Sequence, residues 1–130
     1  MSKFLALLFL ARDVAHREHL RTRSFAAHMA LNDFYHEIIE QADGLAEAYQ
    51  GSYQIIKDVE IIASVDVANI ETFLKDQVKW IDANRYKVCD KDDTPIQNLI
   101  DGIMETYFTA LYKLRFLKWG RDARRSLPFS

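Results

Sequence analysis

One long amphipathic segment constrains the fold of this chain more than any other feature. From Leu31 to Tyr49, apolar residues recur at intervals of three and four, which is the spacing of one face of an α-helix. At about 100° per residue, these side chains fill a single sector of the helix. They are Leu31, Phe34, Tyr35, Ile38, Ala42, Leu45 and Tyr49. The pattern predicts a long helix that buries this face against other helices.

The rest of the chain also favours long helices. Only four glycines and two prolines interrupt 130 residues, and a hydrophobic fraction of 49% is enough for one core. We therefore predict a single all-α domain over residues 1–130, with a loose basic tail at 121–130. The predicted helices span residues 2–20, 24–49, 66–84 and 94–119. The predicted N-caps are Thr22 or Ser24 for the second helix, Asp66 for the third and Thr94 for the fourth, and Gly51 and Gly120 are predicted stops. This is a four-helix bundle.

The connection between the second and third predicted helices decides the topology. Residues 53–65 suit a short helix and an extended crossover equally well. About fifteen extended residues span nearly 50 Å, so the chain can return along the second helix. A ferritin-like bundle has such a crossover, whereas an up-down-up-down bundle does not need one. Periodicity alone does not separate these two topologies.

Composition and the N-terminal segment argue against a signal peptide, a membrane span and general polyanion binding. The apolar run 4–11 imitates a short signal peptide, but Arg12 and Asp13 follow at once and the run is far shorter than the ~20 residues of a membrane span. We expect a buried helix in a soluble, cytoplasmic protein without a membrane partner. The net charge of −2 argues against general polyanion binding. A single cysteine, Cys89, forms no internal disulfide, in keeping with a reducing compartment.

A polar arc beside the apolar stripe carries the candidate chemistry. His28, Asn32, Asp43 and Glu47 share this side of the second helix, and His16 precedes His28 by twelve residues. The pairs His28/Asn32 and Asp43/Glu47 have the i,i+4 spacing that lets two side chains reach one ion. Imidazole mixed with carboxylate and amide oxygens suits iron, manganese or zinc. The alternative is a set of polar interface residues that hold no metal.

This ordered set resembles the Dps family of mini-ferritins. The resemblance lies in Phe25-Ala26-Ala27-His28, Asn32-Asp33-Phe34-Tyr35 and Glu40-Gln41-Ala42-Asp43-Gly44-Leu45-Ala46-Glu47. It implies a ferritin-like four-helix bundle with a crossover between its second and third helices. It also implies a homo-oligomer, either a two-fold dimer or a larger shell, that binds iron and oxidises Fe(II) with peroxide or oxygen.

The resemblance also assigns roles to individual residues. His16, His28, Asp43 and Glu47 would be the catalytic iron ligands, with Asn32 a weaker fifth. In the family, the histidine side of the site comes from one subunit and the Asp/Glu pair from its two-fold mate. By that resemblance, the site here exists only in a dimer.

Departures from the family pattern leave two alternatives open. Asn32 stands where the family has an aspartate ligand, and the His-Trp and Gly signature is replaced by His16-Arg17-Glu18. A ferritin-like scaffold or interaction protein without oxidase activity or metal is the first alternative. The second is DNA binding through the basic C-terminal end, whose cations are Arg115, Lys118, Arg121, Arg124 and Arg125. We expect His19 and His36 to be solvent-facing or partly buried, with no ligand role.

Overall fold

The chain folds into four α-helices in a computed structural model that describes residues 1–62 and 65–117. The helices are α1 (Ser2–Arg21), α2 (Phe25–Ser52), α3 (Ile70–Val88) and α4 (Thr94–Phe116). All regular secondary structure in these residues is helical, which confirms the predicted all-α bundle. The predicted stop at Gly120 and the tail 121–130 lie outside the described residues.

The helix starts follow local capping chemistry with one clear correction. Of the two predicted caps of α2, Thr22 and Ser24, it is Ser24 that caps the helix, because its hydroxyl accepts from the backbone N–H of Ala27 at 3.2 Å. The predicted cap of α3 at Asp66 is wrong. Asn69 caps this helix instead, and its Oδ1 accepts from Thr72 N–H at 3.1 Å. Two smaller differences are that Thr94 is the first residue of α4, after Asp93, and that Gly51 lies in the last turn of α2.

The four helices meet at two ends of the bundle. At the first end, α1 begins beside the end of α3, where Met1 and Val88 line one cavity. The end of α2 meets the start of α4 there, and the Tyr53 hydroxyl donates to Asp93. At the second end, Thr22, Asn69 and Leu117 line a common cavity, so the end of α1, the start of α3 and the end of α4 lie together.

The connection from α2 to α3 therefore runs from the first end to the second. It leaves α2 at Tyr53, and Arg17 near the end of α1 donates to the Val65 carbonyl at 3.0 Å. Residues 53–62 contain no helix, so this part of the segment is not the short helix that was one of the two predicted conformations. As a result, α2 and α3 point in the same direction. α2 packs mainly against α1 and α4, and α3 packs against α4 and α1.

The core forms along the faces that the apolar spacing predicted. The N-terminal apolar run is buried in it, and Phe4, Leu8 and Ala11 have no exposed surface. The stripe of α2 is buried as predicted through Leu31, Phe34, Ile38, Ala42 and Leu45, and α3 and α4 add Leu74, Ile81, Ile96, Ile100, Ile103, Tyr107 and Leu114. In the described part of the chain, no helix is long and apolar enough to cross a membrane.

The polar pair Tyr107 and Gln77 lies inside this core. The Tyr107 hydroxyl donates to Gln77 Oε1 at 2.5 Å, and Gln77 Nε2 donates to the Leu7 carbonyl at 3.2 Å. Burial raises the pKa of Tyr107 well above 10.0, so its hydroxyl keeps its proton and remains a donor. The pair joins α1, α3 and α4 at the centre of the bundle.

Replacing Gln77 by leucine should lower the free energy of unfolding by about 1–3 kcal/mol, because the Tyr107 hydroxyl then stays buried without an acceptor. Urea unfolding followed by circular dichroism measures the change. The double variant Gln77→Leu with Tyr107→Phe is the control, since removing both polar groups should restore most of the loss. Equal losses in the single and double variants would show that the hydrogen bond is not the cause.

Candidate metal site

Within residues 1–62 and 65–117, the centre of the bundle holds no carboxylate that could bind a metal. Ferritin-like di-iron proteins project Glu and His side chains into the space between their four helices. In the described residues, the buried polar side chains are His19, Gln77, Gln97 and Thr106, and no carboxylate is among them. Tyr107 and Gln77 occupy the core instead. Any metal site formed by these residues must therefore lie outside the core.

His19 of α1 and His28 of α2 form a locked pair at the corner between the two helices. Their rings stack with centroids 3.7 Å apart. Each Nδ1 lies within hydrogen-bond distance of the other residue's backbone carbonyl oxygen. The distance is 2.6 Å from His19 Nδ1 to the His28 carbonyl and 2.8 Å from His28 Nδ1 to the His19 carbonyl. A carbonyl oxygen only accepts, so each Nδ1 must carry the proton. In the neutral ring, Nε2 then keeps the lone pair that a metal ligand needs.

Tyr35 connects this pair to the other histidines. The ring of His16 stacks on Tyr35 with centroids 4.3 Å apart, and the ring of His36 stacks on it at 4.4 Å. His19 meets Tyr35 edge-on at 5.5 Å. All four histidines of the chain therefore belong to one cluster with Tyr35, which we call the histidine cluster.

The structure brings three of the five predicted ligands together and leaves two apart. His16 and His28 belong to the histidine cluster, and Asn32 Oδ1 lies 3.5 Å from the Tyr35 hydroxyl. Asp43 and Glu47 are exposed on α2, and Asp43 is fifteen residues beyond His28. That separation is about 22 Å along a helix. Within one chain, the described residues contain no group of three His, Cys, Asp or Glu able to hold a metal.

Asn32 has no neighbouring carboxylate that takes over its position. Asp33 follows it directly, but Asp33 Oδ2 lies 3.3 Å from Lys113 Nζ of α4. This ion pair holds Asp33 on the side of α2 that faces α4, away from His16 on α1. Of the five predicted ligands, the three that lie together therefore offer only one oxygen donor, the neutral amide of Asn32.

Sequence reasoning gave no site role to three members of the cluster, namely His19, His36 and Tyr35. His19 is buried, with 8% of its surface exposed, so the expectation of a solvent-facing or partly buried side chain is wrong. His36 is exposed as predicted, and its Nδ1 donates to the Asn32 carbonyl at 2.8 Å. Tyr35 was placed in the apolar stripe, where it is only partly buried. The i,i+3 spacing of His16 and His19 was the available signal that both face α2.

Two other candidates add no chemistry to this site. Cys89 is buried at the end of α3, where burial raises the pKa of its thiol above 9.0 and keeps it protonated at neutral pH. Arg115 is exposed on α4 with its guanidinium over the ring of Phe116. The remaining cations of the predicted DNA-binding end, from Lys118 onward, lie outside the described residues.

The comparisons with known proteins identify a family without naming an activity. No match was found among curated proteins or among solved structures. The model of one protein family matches residues 19–114, which is well over half of the chain and covers most of the histidine cluster as well as Asp43 and Glu47. The chain therefore belongs to the family described as "Family of unknown function (DUF5856)".

Proposed function

We propose that this protein is a ferritin-like, Dps-like homodimer that binds iron at sites shared between two subunits and oxidises it. One observation carries the proposal: α2 holds the imidazole of His28 near its start, in one cluster with His16 of α1, and its predicted carboxylate ligands begin about 22 Å further on, at Asp43. Neither the imidazole group nor the carboxylate group suffices to hold a metal by itself. An antiparallel second copy of α2 brings the imidazoles of each chain to the carboxylates of the other, once at each end of the two helices.

The path of the chain supports the ferritin-like part of the proposal. Ferritin-like bundles differ from simple up-down-up-down bundles by one long connection that makes two helices parallel. Here α2 and α3 point in the same direction, and the segment between Tyr53 and Asn69 links opposite ends of the bundle. The lack of carboxylates in the described part of the core also favours a site at a subunit interface over one inside the bundle.

The charge of α1 and α2 favours the antiparallel arrangement. Residues 33–47 carry five carboxylates and no lysine or arginine, whereas residues 12–28 carry four arginines against two carboxylates. A two-fold axis passing between Tyr35 and His36 would set these two regions against each other and place His28 opposite Asp43 of the partner subunit. Opposite charges facing each other across an interface favour association and fix its register.

Exposed apolar residues lie beside the same region. Leu20, Phe25 and Met29 are 71%, 72% and 42% exposed at the corner where α1 meets α2. Apolar side chains flanked by charged residues are typical of surfaces that a partner covers. An antiparallel copy of α2 would cover the corner that holds the histidine cluster.

The residues present suit iron as a substrate. The Nε2 atoms of His16 and His28 and the oxygens of Asn32 would bind Fe(II) on one side, and Asp43 and Glu47 of the partner subunit would bind it on the other. Each Fe(II) gives up one electron on oxidation, so two Fe(II) with two protons would reduce one hydrogen peroxide to two waters, and four Fe(II) with four protons would reduce one oxygen to two waters. The chain's own part is to hold these ligands in place and to neutralise the ion with two carboxylates.

Solution mass and metal binding test the proposal together. Light scattering should give a dimer or a multiple of it, and anaerobic titration should show one Fe(II) site per chain. Oxygen or peroxide should then produce Fe(III) faster than in buffer. A monomer, or iron oxidation at the buffer rate, would contradict the proposal. An oligomer that takes up no metal would favour the alternative of a ferritin-like scaffold.

A further inference from the structure

We infer that Tyr35 is the positioning residue of the proposed iron site, because it holds His16 of α1 in register with Asn32 and His28 of α2. The inference rests on the proposed function and adds a residue to it. No ligand role is given to Tyr35; it acts through the side chains that it touches.

The position of His16 requires such a residue. Metal-binding histidines are usually oriented by a hydrogen bond from their second ring nitrogen. His28 has this bond, to the carbonyl of His19. In the described part of the chain, the His16 ring has no such bond and is exposed. Its closer ring contact is the stack on Tyr35, at 4.3 Å and 15° between planes, whereas the ring of His19 is tilted and 6.1 Å away, so the stack on Tyr35 orients it.

On its own helix, Tyr35 contacts Asn32 directly and His28 through His19. Its hydroxyl lies 3.5 Å from Asn32 Oδ1, which directs the amide oxygen toward the same corner as His16. Its ring edge meets His19, and His19 stacks on His28. One side chain thus connects ligands from two helices, directly for His16 and Asn32 and through His19 for His28. His36 packs on the same ring and limits its rotation.

Two substitutions separate the ring from the hydroxyl. Tyr35→Leu removes the aromatic surface on which His16 stacks, whereas Tyr35→Phe keeps the ring and loses only the contact to Asn32. Tyr112→Leu is the matched control, because Tyr112 is exposed on α4 and its ring packs beside Phe116 of the same helix. Circular dichroism confirms that each variant remains helical.

The first measurement needs no metal. Proton NMR of the metal-free protein should show an upfield ring-current shift of the His16 Hε1 signal, which is assigned by its loss in His16→Gln. Tyr35→Leu should remove the shift, and Tyr35→Phe and Tyr112→Leu should keep it. A His16 signal at the same position in wild type and Tyr35→Leu would overturn the inference.

The second measurement is the affinity for Zn(II), which binds without redox chemistry. Tyr35→Leu should weaken binding by about 10- to 100-fold, which is the range for groups that orient metal ligands. Tyr35→Phe should lie closer to wild type. Equal affinity in wild type and Tyr35→Leu would also overturn the inference. The wild-type protein could show the upfield His16 signal, lost in Tyr35→Leu, and still bind no metal. That result would contradict the proposed function and support the positioning of His16 by Tyr35.

Discussion

Replacing Glu47 by alanine should weaken metal binding by more than about a hundredfold and leave the bundle intact. Glu47 supplies one of only two carboxylates at each proposed site, so its loss removes half of the charge that neutralises the ion. Loss of a group that merely orients a ligand already costs about 10- to 100-fold. Because Glu47 is exposed on α2, the free energy of unfolding should change by no more than about 0.5 kcal/mol.

A control variant, Glu37→Ala, and a second ligand variant, His28→Ala, make this result specific. Glu37 is also exposed on α2, but at about 100° per residue it lies about 180° around the helix from His28, so Glu37→Ala should bind metal like wild type. His28→Ala should lose metal binding and also lower stability by about 0.5–1.5 kcal/mol, because it removes the ring that stacks on His19. Metal titration and urea unfolding measure both quantities. Wild-type affinity in Glu47→Ala would refute its role as a ligand.

Replacing Asn32 by aspartate should have the opposite effect and raise metal affinity by about 10- to 100-fold, since the charge of the ligand set tunes such sites over several orders of magnitude. The amide oxygen of Asn32 is neutral, and the new carboxylate would add a third negative charge to each site. Without metal, this charge would face Asp33, whose Oδ1 already lies 3.5 Å from the Asn32 amide. The metal-free variant should therefore be slightly less stable than wild type.

Thermal unfolding with and without Zn(II) measures this second prediction. A hundredfold gain in affinity at a fixed excess of metal stabilises the native state by about 2.7 kcal/mol more than in wild type. The Tm difference between loaded and metal-free protein should widen in Asn32→Asp. Asn98→Asp, on the exposed face of α4, should leave the difference unchanged. An unchanged difference in Asn32→Asp would show that position 32 does not contact the metal.

Local patterns explain what the sequence predicted correctly. The 3.6-residue periodicity of α2 extends over five turns, so its buried face could be read from Leu31, Phe34 and Ile38 without any tertiary information. The cap at Ser24 depends on a hydrogen bond to Ala27, only three residues away. Features fixed within one helix are therefore visible in the sequence.

Tertiary contacts explain what the sequence did not predict. The start of α3 at Ile70 follows an extended stretch whose Val65 carbonyl is bound by Arg17, 48 residues earlier. The burial of His19 depends on how α1 and α2 pack, because its partner His28 belongs to the other helix. The periodicity of neither helix shows which ring faces which. The predicted ligand set stays a prediction, and the structure adds that its two halves are separate within one chain.

Mixing two inactive variants tests the shared site most directly. In a homodimer of His28→Ala or of Glu47→Ala, both sites lack a ligand, and neither protein should bind Zn(II) tightly. After joint unfolding and refolding, a dimer with one chain of each kind has one site that lacks both ligands and one site that is complete. We predict that the mixture regains tight binding, at about one site in each mixed dimer. No recovery in a mixture that forms mixed dimers would contradict a site built from two subunits.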